Sequence, residues 1–217
     1  MKLYSYTLLY DDGAAPNPFW GICTLAIRKP AIRLAAEVDD WIVGLGSVKS
    51  PLGDISDHLV YAMKVSSKLT LKDYDQFCKT FLPKKIPDWR NRDYRRRMGD
   101  CIYNYITGSD PKMRTSIHTE ENHERDLSGE YALLSKQFYY FGNKPVKLPD
   151  ELRPIMHTSR GHKSESNQPF IESFVEWIEG LDYRPNKVIG EPQLKKEYER
   201  VKNLQAKCSM RDVEDDE

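Results

Sequence analysis

Hydrophobic and polar residues alternate through the first two thirds of the chain. KLYSYTLLY (2–10) predicts a first strand, since alternating apolar residues are typical of a half-buried strand. DDWIVGLGS (39–47) and HLVYAMKVSSKL (58–69) predict a hairpin with a long polar connection. EYALLSKQFYYFG (130–142) predicts a strand pair or one long bent strand.

The last third of the chain follows helical spacing instead. IESFVEWIEGL (171–181) and PQLKKEYERVKNLQAK (192–207) each place apolar residues on one helical face. Two helices are also predicted earlier, over KPAIRLAAEV (29–38) and over TLKDYDQFC (70–78) with Thr70 as N-cap.

This order of elements favours the α+β class, with a small curved β-sheet or barrel covered by C-terminal helices. Alternation within FYYF predicts Phe138 and Tyr140 on one strand face and Tyr139 and Phe141 on the other. We expect one domain over residues 1–183, followed by an amphipathic helix and acidic tail over 184–217.

The composition is that of a soluble globular protein. Of 217 residues, 39% are hydrophobic, 30% charged and 11% aromatic, which is too aromatic for a disordered chain. No apolar run approaches the roughly 20 residues that span a bilayer, and the N-terminus reads as a strand rather than a signal peptide. We therefore expect a cytoplasmic protein without membrane contact.

Four cysteines are scattered without zinc-ligand spacing: Cys23, Cys78, Cys101 and Cys208. His118 and His123, five residues apart, do not match the zinc-protease helix, which needs histidines four apart. The chain also lacks the glycine-rich motifs that cradle nucleotide phosphates. The sequence thus implies no metal and no cofactor.

Net charge is zero, yet KKIPDWRNRDYRRR (84–97) is strongly basic and carries Trp89 and Tyr94 among its arginines. Arginines interleaved with aromatic rings are typical of polyanion binding, because the arginines contact phosphates and the rings stack on bases. A solvated, arginine-rich helix start is the alternative interpretation.

DDGAAPNPFWG (11–21) is a stiff loop, because Pro16 and Pro18 restrict their own and the preceding residues' backbones. Its aromatic residues Phe19 and Trp20 either plug the core or form a pocket wall, in which the amide of Asn17 would read a flat polar ligand. SRGHKS (159–164), just before a predicted helix, is either an anion site or an ordinary exposed loop.

Several of these blocks together resemble a family of bacteria and phages, the nucleotide modification associated domain 2. They are DDGAAPNPFWGICTLAIRKPAIRLAAEVDDWIVGLGS, LVYAMKVSSKLT, YALLSKQFYYFG and SRGHKS, in that order. The resemblance covers about residues 1–180. It implies that the protein is associated with DNA base modification systems, but it does not specify a particular reaction.

The N-terminal half is also similar, more distantly, to EVE and PUA-like modules, although Asp39 stands where their turn glycine is expected. That resemblance implies an aromatic pocket for a modified or flipped base. By position, the base-binding residues would be Asn17, Phe19, Trp20, Trp41, Gly46, Ser47 and Tyr61. The expected phosphate contacts are Arg95, Arg160, His162 and Lys163.

Three functional hypotheses follow. The first is a binding module that recognises a modified nucleotide or a base in nucleic acid. The second is an enzyme acting on a nucleotide or base, with Cys23, Asp100, His118 or His162 as its acid–base or nucleophilic group. The third is an adaptor whose C-terminal helix docks onto a base-modifying enzyme. Expected partners are thus a nucleotide or nucleic acid, that enzyme, and a second copy in a homodimer.

Overall fold

Three separate sheets and six α-helices make up the described part of the chain. The computed structural model describes residues 1–106, 110–157 and 161–200. The strands are β1 (Leu3–Thr7), β2 (Cys23–Leu25), β3 (Trp41–Leu45), β4 (His58–Lys64), β5 (Ser67–Thr70), β6 (Tyr103–Asn104), β7 (Lys112–Met113), β8 (Tyr131–Ser135), β9 (Gln137–Tyr140), β10 (Val146–Lys147) and β11 (Lys187–Val188). The α-helices are α1 (Pro30–Ala35), α2 (Leu71–Phe81), α3 (Tyr94–Arg97), α4 (His123–Ser128), α5 (Ile171–Gly180) and α6 (Lys195–Arg200).

The largest sheet has six strands in the order β1-β3-β4-β9-β11, with β10 also paired to β4. β1 runs parallel to β3, while β3 and β4 form the antiparallel hairpin predicted from the sequence. A three-stranded sheet, β2-β8-β5, and the ribbon β6-β7 complete the architecture. The α+β class is therefore confirmed.

The expected barrel is not present in the described ranges, because the three sheets remain separate and open. β8 and β9 follow one another along the chain but pair in different sheets. The predicted strand pair is thus a junction between two sheets, and no long bent strand forms there.

Two large apolar clusters cover the two faces of the main sheet. Phe138 and Tyr140 belong to one cluster, and Tyr139 and Phe141 to the other, which confirms the predicted alternation. α5 covers the second face through its buried residues Ile171, Phe174 and Ile178. Burial of this stripe drives the docking of α5, since each buried aliphatic or aromatic side chain contributes about 1.5–3 kcal/mol.

Helix starts agree with the sequence at two places. Thr70 caps α2, where its hydroxyl accepts a hydrogen bond from the Asp73 backbone N–H at 3.1 Å. Pro30 is the first residue of α1. A backbone N–H at this position has no partner within the helix, so proline, which lacks the N–H, costs no hydrogen bond there. None of the described helices is both long and apolar enough to cross a bilayer. Of the helix predicted over 192–207, residues 201–207 lie outside the described residues, as does the acidic tail.

Candidate functional site

The proline loop is anchored from inside the protein through Asn17. Its backbone exchanges two hydrogen bonds with Thr24, of 2.8 and 2.9 Å. The Asn17 side-chain amide donates to the Met98 carbonyl at 2.8 Å, and its oxygen accepts from the Phe19 backbone N–H at 3.2 Å. Asn17 is fully buried. It therefore positions the loop, and its amide does not reach the surface.

A buried lysine connects this loop to the basic segment. The Lys85 ammonium donates to the backbone and side-chain oxygens of Asn17, at 2.7 and 2.8 Å, and to the Thr24 hydroxyl at 2.9 Å. Thr24 and Tyr74 in turn donate to the Asp100 carboxylate, at 2.5 and 2.8 Å. Burial lowers the pKa of Lys85, and the nearby charge of Asp100 raises it. This network fixes the loop against residues 84–101.

Trp20 is the loop residue that reaches the basic surface. Its ring is half-buried, and the Lys84 ammonium and the Arg95 guanidinium each lie 4.8 Å from the ring centroid. Its backbone has φ 69°, in the left-handed region that bulky residues rarely adopt. Lys85 and its partners hold Asn17, three positions before Trp20, and the Trp20 ring contacts two exposed cations.

A cleft of about 750 Å³ is lined by Arg95, the residue whose guanidinium lies over the Trp20 ring; we call it the first cleft. It is lined by residues 92–95, the turn 143–144, residues 188–192, Lys195 and Phe19. Its charged residues are four basic and two acidic: Arg92, Arg95, Lys144, Lys195, Asp93 and Glu191.

Two of the cations in the first cleft are already paired. Arg95 binds Asp93 at 2.8 Å, and Lys195 binds Glu191. Arg92 and Lys144 form no ion pair with any residue in the described ranges. Their positive charges are thus available to an anion, and an anion in this cleft would also lie close to the ring of Phe19.

A second cleft, of about 650 Å³, is lined by residues 86–90, Arg96, Arg114 and Thr115. Trp89 contributes an aromatic ring and Arg90 an exposed cation to it. Arg114 forms a salt bridge with Asp75 at 2.6 Å, so its charge is already compensated within the protein. The second cleft is therefore also basic and aromatic.

The comparison with protein families agrees with the sequence resemblance. The family model for nucleotide modification associated domain 2 matches residues 1–199. The chain belongs to this family. No curated protein and no solved structure gives a significant match. The resemblance to EVE and PUA-like modules is not confirmed by these comparisons.

In this nucleotide modification associated domain, Phe19 and Arg95 line the first cleft, and Arg95 also contacts the Trp20 ring. Trp41 does not join them: it is 1% exposed and packs against Phe174 at a ring distance of 5.7 Å. Trp41 lies on the sheet face that α5 covers, whereas Phe19 belongs to the cluster on the opposite face.

Three other residues assigned to the base pocket are also buried in the interior of the protein. Tyr61 is fully buried, with its hydroxyl 2.8 Å from that of Tyr6. Ser47 accepts a hydrogen bond from the Lys49 backbone N–H at 3.0 Å and is 2% exposed. Gly46 packs so closely on Ile55 that an added Cβ would lie 2.2 Å from its carbonyl oxygen. None of them lines the first or the second cleft.

The expected phosphate contacts separate into two regions. Lys163 donates to the carbonyl oxygens of Pro154 and Met156, at 2.8 and 3.1 Å, and so holds its own loop. The half-buried ring of His162 lies 5.6 Å from that of Tyr4. Arg160 lies outside the described residues. Of the three described members of this set, Arg95 lines the first cleft and the other two do not.

The groups considered for catalysis are mostly enclosed. Cys23 is fully buried, and burial raises the pKa of its thiol to about 12. His118 is fully buried, and its Nδ1 lies 2.5 Å from the Asp126 carboxylate. Asp100 is 1% exposed and belongs to the Lys85 network. His162 is the one member of the group with an accessible side chain.

The sequence patterns did not identify Lys144 or the segment 188–195 as part of a binding site. Gly190 brings them together, because an added Cβ there would lie 1.9 Å from the Phe141 carbonyl oxygen. β11 aligns this segment with β9, since Val188 pairs with Tyr140. The only local signal was the glycine itself, and one glycine does not reveal its partner strand.

Proposed function

We propose that this nucleotide modification associated domain binds a nucleotide, or an unpaired base of nucleic acid, at the first cleft. The observation that carries the proposal is the contact of the Trp20 ring with Lys84 and Arg95, together with a cleft at Arg95 in which Arg92 and Lys144 pair with no acidic residue of the described ranges. Stacking of a base on an aromatic side chain contributes about 1–3 kcal/mol and tolerates different bases. Arginine and lysine supply the phosphate contact.

In this account, a phosphate is held by Arg92 and Lys144 while the base lies against Phe19 or Trp20. The side chains of Lys84 and Arg95 are exposed, so the charged group of either residue can move from the Trp20 ring to a phosphate. The modified base of a DNA modification system is the ligand that the family setting favours. Such a protein acts as a reader, and the ligand leaves it chemically unchanged.

The test is a thermal-shift screen with nucleoside monophosphates carrying natural and modified bases, with ligand recovery by mass spectrometry. At a ligand concentration about 100 times Kd, binding should raise the melting temperature by about 5–10 °C. Replacing Arg92 and Lys144 by serine should remove most of that rise. The matched control replaces Lys72 and Lys136, two exposed lysines outside both clefts.

Each outcome of the screen separates the hypotheses. An unchanged ligand that stabilises the wild type and the control supports a reader. A ligand recovered with altered mass would instead support an enzyme, with His162 as the first residue to replace. Equal melting shifts in the control and the Arg92/Lys144 variant would place the ligand elsewhere.

A further inference from the structure

The two basic clefts lie on either side of one short helix. Arg95 lines the first cleft, and the next residue, Arg96, lines the second. Consecutive helical residues have Cα atoms about 3.8 Å apart and point about 100° away from each other. The two clefts are therefore neighbours on either side of α3.

Free cations are present on both sides of α3. Arg92 and Lys144 belong to the first cleft, and Arg90 to the second. Arg90, like the other two, forms no ion pair with a described residue. Arg96 makes one long hydrogen bond, of 3.3 Å, to the Pro83 carbonyl.

Each cleft also has its own tryptophan. Trp20 lies beside the first cleft, and Trp89 lines the second. Both rings are half-buried against the same apolar cluster, so each exposes only part of its surface. Two separate stacking surfaces suit two unpaired bases, whereas in a duplex the base faces are hidden within the stack.

We propose that the ligand is a single-stranded nucleic acid that crosses α3, with one base at Trp20, another at Trp89 and its phosphates on the arginines between them. This inference rests on the proposed function of the first cleft and extends it to a polymer of at least two nucleotides.

The experiment measures binding of 5′-phosphorylated thymidylates of one, two, four and eight nucleotides, with an eight-base-pair duplex and oligouridylate for comparison. Affinity for the octamer should exceed that for the monomer by at least about tenfold, because more phosphates are neutralised. The duplex should bind more weakly than the single strand. Oligouridylate distinguishes an RNA from a DNA preference.

The matched variants separate the two clefts. Replacing Arg90 and Arg96 by serine should leave monomer binding within about twofold and weaken octamer binding about tenfold at 0.1 M salt. It should also lower the salt slope by about 1.4, since each phosphate contact on a single strand contributes about 0.7. The Lys72/Lys136 variant should behave as the wild type, and circular dichroism checks that every variant is folded.

Three results would overturn the inference: an octamer bound no more tightly than the monomer, a duplex bound as tightly as the single strand, or an Arg90/Arg96 variant with unchanged octamer binding. In each of these cases monomer binding at the first cleft still stands. If neither the monomer nor the octamer binds, the proposed function itself fails.

Discussion

The Lys85 ammonium donates to both oxygens of Asn17, its backbone carbonyl at 2.7 Å and its side-chain amide at 2.8 Å. Both residues are fully buried, and they lie 68 positions apart in the sequence. This contact fixes the proline loop against the basic segment. It joins the loop that carries Trp20 to the segment that carries Lys84 and Arg95.

Replacing Lys85 by methionine should destabilise the protein by about 3 kcal/mol, because the oxygens of Asn17 and the hydroxyl of Thr24 lose a charged donor inside the core. Urea denaturation measures the change. The control is Lys72→Met, an exposed lysine outside both clefts, whose stability should match that of the wild type. A Lys85→Met protein as stable as the wild type would show that the network does not hold the loop.

The stability of the protein should depend on pH through Asp11. Burial raises the pKa of this carboxyl to about 7, despite hydrogen bonds from Tyr140 and the Gln193 backbone. A native pKa above the unfolded value means that the folded state binds the proton more tightly. The contribution of Asp11 to stability is thus fully present below about pH 4 and is lost as the pH rises through 7.

The Asp11→Asn variant lacks this titration. The difference in free energy of unfolding, variant minus wild type, should therefore increase from pH 5 to pH 8. The increase should be about 3 kcal/mol, because pH 5 lies about two units below the native pKa of about 7. Urea denaturation at both pH values measures it, with the exposed Asp182→Asn as control. A difference that stays constant with pH would refute the raised pKa.

His162 should titrate more readily once a neighbouring charge is removed. Burial lowers the pKa of His162, and the positive charges of His157 and Lys29 lower it further. Lys29→Gln should therefore raise this pKa, as measured by NMR titration of the imidazole signals. Lys64→Gln, which removes a lysine that does not act on His162, should leave the pKa unchanged. An unchanged pKa in Lys29→Gln would mean that the two side chains do not interact.

The wall of the first cleft depends on Gly190. Gly190→Ala would place a Cβ against the Phe141 carbonyl oxygen and should cost about 1–3 kcal/mol of stability, as overpacking does. Gly180→Ala is the control, because it meets no atom within 4 Å at the end of α5. That control should be neutral or slightly stabilising. Equal thermal stability of the two variants would contradict the close packing at 190.

The sequence pattern predicted elements well where one face of an element is buried. The stripe of α5 and the alternation in FYYF both identified their buried faces, because each follows the period of its own secondary structure. Thr70 was identifiable as a helix cap from Asp73 three residues later, which is a strictly local relation.

The candidate site was less accessible to sequence reasoning, since it depends on contacts between distant segments. Every residue of β3 is buried, so alternation could not show which core Trp41 would join. The stiffness of the proline loop was readable from Pro16 and Pro18, but the inward direction of Asn17 depends on Lys85. Lys144 reaches the first cleft because 188–195 docks beside it, and Gly190, the local signal of that docking, does not reveal which strand it meets.

The central claim is that a nucleotide binds beside Trp20, and NMR of the tryptophan indole N–H signals tests it most directly. The chain has four tryptophans, so four signals can be assigned by single Trp→Phe variants. During titration with a nucleoside monophosphate, the Trp20 signal should shift and the Trp41 signal, deep under α5, should stay in place. A shift of Trp41 with an unmoved Trp20 would contradict the account.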